Sequence, residues 1–281
     1  MTTTLRPTGP EEREDDGARS RAYDICVNSR PVGLVRLTTD PEYGPTVGRI
    51  GQLVVEERER KRGRGSVAAL AAEEVLRDWG CRRAEWAVPA RAAAGLRLAT
   101  ALGYRERSRH MLHELPPLDE LPELPASSTP RAMDEAEFTA WREYERAQYA
   151  RALGERGVPA DQAEGRAEAS ERTRFSRGLA TPGVVVRVLA HEGTDVGRTW
   201  LDLRRSPRED TDAWIFSIEV DEPYRGRGHG RTLMLLAERE AAAAGAEILG
   251  LNVHADNEPA QRLYTSLGFR TVEHHLYKPL L

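Results

Sequence analysis

The feature that most constrains this chain is a repeat with a fixed offset. Arg60-Lys61-Arg62-Gly63-Arg64-Gly65 and Arg225-Gly226-Arg227-Gly228-His229-Gly230 share the form R-x-x-G-x-G, and their closing glycines lie 165 positions apart. Leu102-Gly103-Tyr104-Arg105 matches Leu267-Gly268-Phe269-Arg270 at the same 165-residue spacing, as does Gly80 with Gly245. Segments that align over this distance without a gap are two copies of one fold. In each copy an apolar, strand-like run (50–55 or 215–220) leads into the loop. An Ala/Leu-rich stretch with helical periodicity (66–79 or 231–244) leaves it. A further strand, a short helix ending at the Leu-Gly-aromatic motif and a last strand complete the pattern. The expected fold class is α/β (α+β), present twice.

A length of 281 residues suits two such domains. Repeated proline between 116 and 125 excludes helix and favours an extended spacer. The expected organisation is a disordered tail over 1–21, an N-terminal copy over 22–115, a Pro-rich linker over 116–128 and a C-terminal copy over 129–281. The tail is expected to stay unfolded because it is rich in charge and poor in apolar residues. The second copy opens with two helical segments, 134–154 and 160–178, that the first lacks. Asp134 and Glu137 have the spacing of a capping box.

A formal net charge of −4 gives no reason to expect nucleic acid or an anionic membrane as partner. No apolar run approaches the roughly 20 residues of a membrane span, so a cytoplasmic protein, monomer or homodimer, is expected. Cys26 and Cys81 are too few for a disulfide framework or a thiolate-built zinc site and read as small core residues; no metal is expected. Lys61 and Lys278 are the only lysines, which reads as codon bias rather than function.

A glycine-rich turn between a strand and a helix gathers unpaired backbone N–H groups and the positive end of the helix dipole at one spot, which suits phosphate. No G-K-[ST] follows either loop, and no acidic residue stands where a dinucleotide ribose would need one. The run from Ile218 to Gly230, followed by Asn257-Glu258-Pro259-Ala260-Gln261-Arg262-Leu263-Tyr264 and Leu267-Gly268-Phe269, resembles the GNAT superfamily of acyl-CoA N-acyltransferases. That resemblance implies two GNAT-like domains, each a mixed, mostly antiparallel sheet splayed between its fourth and fifth strands and flanked by helices. It implies acetyl-CoA as cosubstrate, held by Ile218, Val220, Arg225, Gly226, Arg227, Gly228, His229, Gly230 and Arg231, largely through main chain. Asn257 is expected to bond the pantetheine arm or the following helix start, and Tyr264 to stand beside the thioester sulfur.

Acyl transfer to an amine needs a polarised carbonyl, a proton for the leaving thiolate and a neutral amine. The resemblance makes Tyr264 the acid and places the carbonyl donor at the Val220 N–H, next to a strand bulge. Glu219 is the candidate base, with His254 and Glu222 behind it. The acceptor expected is a primary amine on a small molecule. A protein N-terminus or lysine, or a non-catalytic acyl-CoA sensor, are the alternatives. Phe138, Trp141, Tyr144 and Tyr149 read as core or as pocket lining. Glu143 and Glu145 would suit a cationic amine. The resemblance also places the glutamate base of some relatives at Asn252, which cannot act as one. Subtracting the offset maps Glu219, Asn252, Asn257 and Tyr264 onto Val54, Ala87, Ala92 and Ala99, so the first copy is expected to be catalytically inert, with a loop that either holds coenzyme or is a solvated turn.

Overall fold

The structure, a computed structural model, describes residues 2–13, 18–40 and 43–280. Two compact units emerge: Met1–Ser108 with Ala150–Glu164 and Glu273–Leu281, and Arg109–Tyr149 with Gly165–Val272. The first unit contains β1 (Thr3–Pro7), β2 (Glu12–Arg13), β3 (Arg19–Val27), β4 (Arg30–Asp40), β5 (Gly44–Val55), α1 (Arg64–Asp78), β6 (Arg83–Pro89) and α2 (Ala93–Ala101). β7 (Arg105–Glu114) leads out of it into β8 (Ser128–Arg131) and two helices, α3 (Glu135–Glu155) and α4 (Ala160–Arg174). The second unit continues with β9 (Val184–His191), β10 (Thr194–Asp202), β11 (Ala213–Val220), α5 (His229–Ala243), β12 (Ile248–His254) and α6 (Glu258–Ser266), and the chain ends in β13 (Arg270–Pro279).

Each unit builds a mixed, mostly antiparallel sheet, in the order β1-β3-β4-β5-β6-β13 and β7-β12-β11-β10-β9-β8. The parallel pairs are β5 with β6 and β11 with β12. Parallel neighbours require a crossover, which α1 and α5 supply. Asp134 caps α3 as its spacing predicts: Glu137 N–H donates to its carboxylate at 2.8 Å, and Glu137 accepts from Asp134 N–H at 2.9 Å. The face of β9 and β10 that carries Val186, Val188 and Trp200 is covered by Phe138, Trp141 and Phe175. The 116–128 spacer is held to α5 by Arg239, which donates to the Leu121 and Pro122 carbonyls, both at 3.1 Å. No described helix is long and apolar enough to cross a membrane.

Two expectations are corrected here. The N-terminal segment is not an unfolded tail: Thr3–Pro7 pair with Val27–Tyr23, and Glu12–Arg13 pair with Ser20–Arg19, while 14–17 lie outside the described residues. Sheet-edge hydrogen bonds, Leu5 against the core and ion pairs of Arg6 with Asp24 and Glu11 with Arg19 supply what composition concealed. The copies also do not coincide with the units. Glu273–Pro279 of β13 pair with Pro89–Arg83 of β6, and Leu276 and Leu280 enter the first unit's core beside Trp86 and Tyr104. In the other direction Met111 joins the second unit's core, and Leu112 and His113 pack against Gly250 and Gly268. Each copy's last strand thus completes the unit built by the other. The two strands occupy matching positions in matching sheets, so linear patterning does not say which sheet takes which strand.

The repeat also exposes a difference between the cores. Glu73 of α1 and Glu238 of α5, at equivalent positions, are 1% and 5% exposed. Glu73 is gripped by the Lys278 ammonium at 2.8 and 2.9 Å. Glu238 Oε1 is buried without a hydrogen-bond partner among the described residues, and burial, opposed by Arg231, pushes the carboxyl from its ordinary 4.5 up to about 7. The folded state therefore keeps this proton after the unfolded chain has released it, and stability falls as pH rises from about 4.5 through 7. Glu238→Gln is expected to leave stability at pH 4 unchanged. Above pH 7 it should raise it by about 3 kcal/mol, a gap that urea denaturation across pH would read.

Candidate active site

The pairing of β11 with β12 runs from Ala213/Leu249 only to Ile215/Leu251, although the strands continue to Val220 and His254. Beyond that point they part, and Phe216–Val220 become half-buried where Ala213–Ile215 were buried. On its other side β11 stays paired with β10 out to Val220/Gly197, and Asp221 N–H donates to the Val196 carbonyl at 3.0 Å. The alternation of an antiparallel ladder then turns the N–H and C=O groups of Ile218 and Val220 away from β10, into the opening. The bulge is not beside Val220 as expected. It is at Phe216, because Trp200 faces Ser217 and Leu201 faces Ile215. The Val220 N–H is made available by the parting of the strands.

The glycine loop closes the mouth of this opening. Gly226 and Gly228 adopt φ of +76° and +91°, and Gly228 caps α5 with no side chain bonded to the helix end. Arg231 and Thr232 N–H bond the Gly228 carbonyl, and among the described residues the amides of His229 and Gly230, at the helix start, have no backbone acceptor. A Cβ on Gly230 would stand 3.3 Å from Leu263 of α6 and 3.9 Å from Val220, so loop, strand and helix converge there. Arg225 Nε donates to the Val220 carbonyl at 3.0 Å and fixes the loop to the strand end. Arg231 bonds Ser266 Oγ at 2.6 Å, and Arg227 lies 5.9 Å from the Tyr224 ring. His229 turns its ring inward against His191, 4.7 Å away, leaving its main chain for a ligand. Burial first, then His191 and Arg227, lower its pKa.

Of the two roles read for Asn257, the structure shows the helix start: its side-chain Oδ1 accepts from Ala260 N–H at 3.2 Å and caps α6. Tyr264 of α6 lies in one apolar cluster with Val253 of β12 and Ile218 of β11, residues of the two strands that part. It is 9% exposed, burial pushes its phenol up to about 12, and among the described residues nothing accepts its O–H. His254 and Glu222 are exposed.

Glu219 stands on the face covered by α3, directly across from Arg198. Arg198 Nε lies 3.7 Å from its carboxylate, Arg198 Nη2 donates to Asp221 at 2.6 Å, and the Tyr144 hydroxyl donates to Glu219 Oε1 at 3.4 Å. Burial, and next the Glu219 charge, raise the Tyr144 phenol. A cleft of about 410 Å³ opens here, with Trp141, Tyr144, Arg131, Asp195, Arg198 and Glu219 in its walls. Phe138 and Trp141 are core, at 1% and 2% exposure, whereas Tyr144 is 44% exposed at the cleft. Burial raises the Glu145 carboxyl, a bond to Ser217 opposes this, and the Glu219 charge adds to it. Arg131, Asp195 and Arg198 were not visible in the sequence as site residues; their signal is strand register, of β10 on β11 for Arg198 and of β8 and β10 on β9 for Arg131 and Asp195, which no local motif carries.

The first unit keeps the backbone of this site without its side chains. Its β5–β6 pairing also stops early, at Ile50/Trp86, Gly63 caps α1 at φ +75°, and Arg60 Nε donates to the Val55 carbonyl at 2.9 Å. Lys61 holds φ +59° where the second copy has Gly226, a conformation costly to a residue with a Cβ. Val54 faces Leu34 where Glu219 faces Arg198, Ala92 precedes α2 with no cap bond, and Ala99 is buried in place of Tyr264.

The model of the Acetyltransferase (GNAT) family matches residues 3–104 and 138–269. The chain belongs to the GNAT acetyltransferase family. Two matches make it a tandem GNAT protein, and the first match includes the N-terminal strand. YycN, an uncharacterised N-acetyltransferase of Bacillus subtilis, is 30% identical over 105 residues, 37% of this chain and 67% of that protein. The mycothiol acetyltransferase of Corynebacterium aurimucosum is 39% identical over 69 residues, so the tandem GNAT chain spans about a quarter of that protein's length (23%). Among solved structures, a GCN5-related N-acetyltransferase from Sphaerobacter thermophilus superposes with a TM-score of 0.57 at 20% identity, covering 92% of this chain and 80% of that one. A tandem GNAT protein from the clavulanic acid biosynthesis pathway gives 0.50 at 20% identity, with 94% and 84% covered. At these identities the likeness is one of fold.

Proposed function

We propose that the second unit moves an acetyl group from acetyl-CoA to the primary amine of a small molecule. The observation that carries this reading is the parted β11–β12 edge, with Tyr264 packed in one cluster with residues of both strands, its hydroxyl without an acceptor among the described residues, and Glu219 in the adjoining cleft. The loop fits the donor: two left-handed glycines, uncapped amides at the start of α5 and the guanidinium of Arg227 form a cradle for a pyrophosphate. Acetyl-CoA would supply the activated acyl carbonyl and a thiolate leaving group. The Val220 N–H donates to the acyl oxygen as negative charge builds on it. The Tyr264 phenol, pushed up to about 12, keeps its proton through the working pH range and gives it to the departing sulfur. Glu219, oriented by Arg198 and Tyr144, takes a proton from the amine directly or through water. A cleft of about 410 Å³ under α3 suits a metabolite-sized acceptor.

Calorimetric titration of acetyl-CoA tests the donor site. The wild-type protein should bind, and Gly230→Glu, which sets a carboxylate in the cradle, should weaken binding at least about tenfold without changing the unfolding temperature by more than about 4 °C. Equal binding by a folded variant would place the donor elsewhere.

A further inference from the structure

Beyond the Glu219 cleft, on the same face of the second unit, a separate cavity of about 450 Å³ opens between α4 and the segment that leads into β11. Its floor is Phe216, the bulged residue, and its walls include Ser170, Thr173 and Arg174 of α4, with Arg205 and Ser206 opposite. The two cavities differ in charge. Glu137, Asp195, Glu219 and Asp221 line the first against Arg131 and Arg198, whereas no carboxylate lines the second. Both of its guanidiniums are held in place. Arg174 lies 4.3 Å over the Phe216 ring and donates through Nε to Ser170 Oγ at 3.1 Å. Arg205 donates to the Thr173 carbonyl at 2.7 Å and forms no ion pair among the described residues. Guanidiniums fixed against a ring and a carbonyl lose little freedom on binding and present a planar fork to an oxyanion.

The half-buried edge from Phe216 to Val220 carries a lining residue of each cavity, Phe216 in the second and Glu219 in the first, with Ser217, which Glu145 bonds, between them. Phe216 and Glu219 are three residues apart along it, roughly 10 Å at the rise of a strand. The donor reading above assigns the glycine-loop end of this edge to coenzyme, which leaves the Phe216 end to the acceptor. Resting on that reading, we propose that the acceptor is an amine carrying a carboxylate or phosphate group within about 10 Å of its nitrogen. The anion sits between Arg174 and Arg205, and the amine lies at Glu219. Ends of opposite sign fix the orientation of such a molecule, and an alkylamine without an anionic group has nothing to offer the second cavity.

The test compares hexylamine, aminocaproate and aminohexyl phosphate as acceptors for wild type, Arg205→Gln and Arg174→Gln/Arg205→Gln. In parallel, aminocaproate and inorganic phosphate are titrated against tryptophan fluorescence, since Trp200 lies 5.7 Å from the Arg174 guanidinium. The expected result is a kcat/KM at least about tenfold higher for one anionic amine than for hexylamine, with that ratio collapsing in both variants. Which of the two leads distinguishes carboxylate from phosphate. Arg205 is exposed, so the single variant reports on the subsite even where loss of Arg174 disturbs the aromatic packing. Acetyl transfer that ignores the anion, with fluorescence titrations unchanged by Arg205→Gln, overturns the subsite and spares the transferase. Saturable anion binding that Arg205→Gln abolishes, without transfer to any amine, keeps the subsite and overturns the transferase reading.

Discussion

Tyr264→Phe is expected to lower kcat on the order of 10²- to 10⁴-fold while leaving the Kd for acetyl-CoA nearly unchanged. The change deletes one oxygen from a side chain that is 9% exposed and packed with Val253, Phe269 and Ile218. No described protein group loses a hydrogen bond, because none accepts from that hydroxyl. Stability should therefore stay within about 1 kcal/mol of wild type, and the loss falls on chemistry. The phenol's position at about 12 has a further consequence. The group remains protonated well above neutral pH, so any fall in wild-type rate between pH 8 and 10 comes from another group, and the variant should retain the same alkaline limb. Rates within about threefold of wild type would remove the phenol from the proton transfer.

Lys278→Met is expected to destabilise the first unit by about 3 kcal/mol at neutral pH. Glu73 is 1% exposed, and Lys278 supplies its two short contacts; Arg77 approaches no nearer than 3.7 Å. Methionine keeps the length of the side chain but leaves a buried carboxylate with a distant counter-charge. Burial raises the neighbouring Tyr104 phenol and the Glu73 charge raises it further, which places that ring against the same carboxylate. The double substitution Glu73→Leu/Lys278→Met should recover most of the loss, since an apolar pair leaves no charge stranded. Urea denaturation, with hydrogen exchange on α1 to assign the transition, separates the two results. A single variant as stable as wild type would show that Arg77 alone satisfies Glu73. The lysine scarcity that reads as codon bias thus conceals one lysine with a structural task.

Much of the candidate site is legible in residue order because its determinants are local. The positive φ of Gly226 and Gly228 lies in a short loop between a strand and a helix, and the capping pair Asp134/Glu137 is fixed by three-residue spacing. Tyr264 and Asn257 are legible through the resemblance of the run from Asn257 to Tyr264 to the GNAT superfamily, and the 165-residue offset shows Ala99 and Ala92 in their places in the first copy. The bulge was misplaced by four residues, since a bulge is a property of two strands in register. Arg198 opposite Glu219, and Arg174 over Phe216, join side chains tens of positions apart, and no window of sequence contains both partners.

The sequence by itself determined that one α/β pattern occurs twice, that both copies carry a phosphate-shaped loop, and that polar groups suited to acyl transfer survive in one of them. Periodicity, glycine placement and capping act over a few residues, so the order of residues is enough to specify them. The tertiary structure alone decided that β13 completes the first unit and β7 the second, that the N-terminal segment is an edge strand, and that Lys278 meets Glu73. Those outcomes depend on which of two equivalent sheets offers a strand its hydrogen bonds and apolar cover, a choice made by packing between segments far apart in the chain.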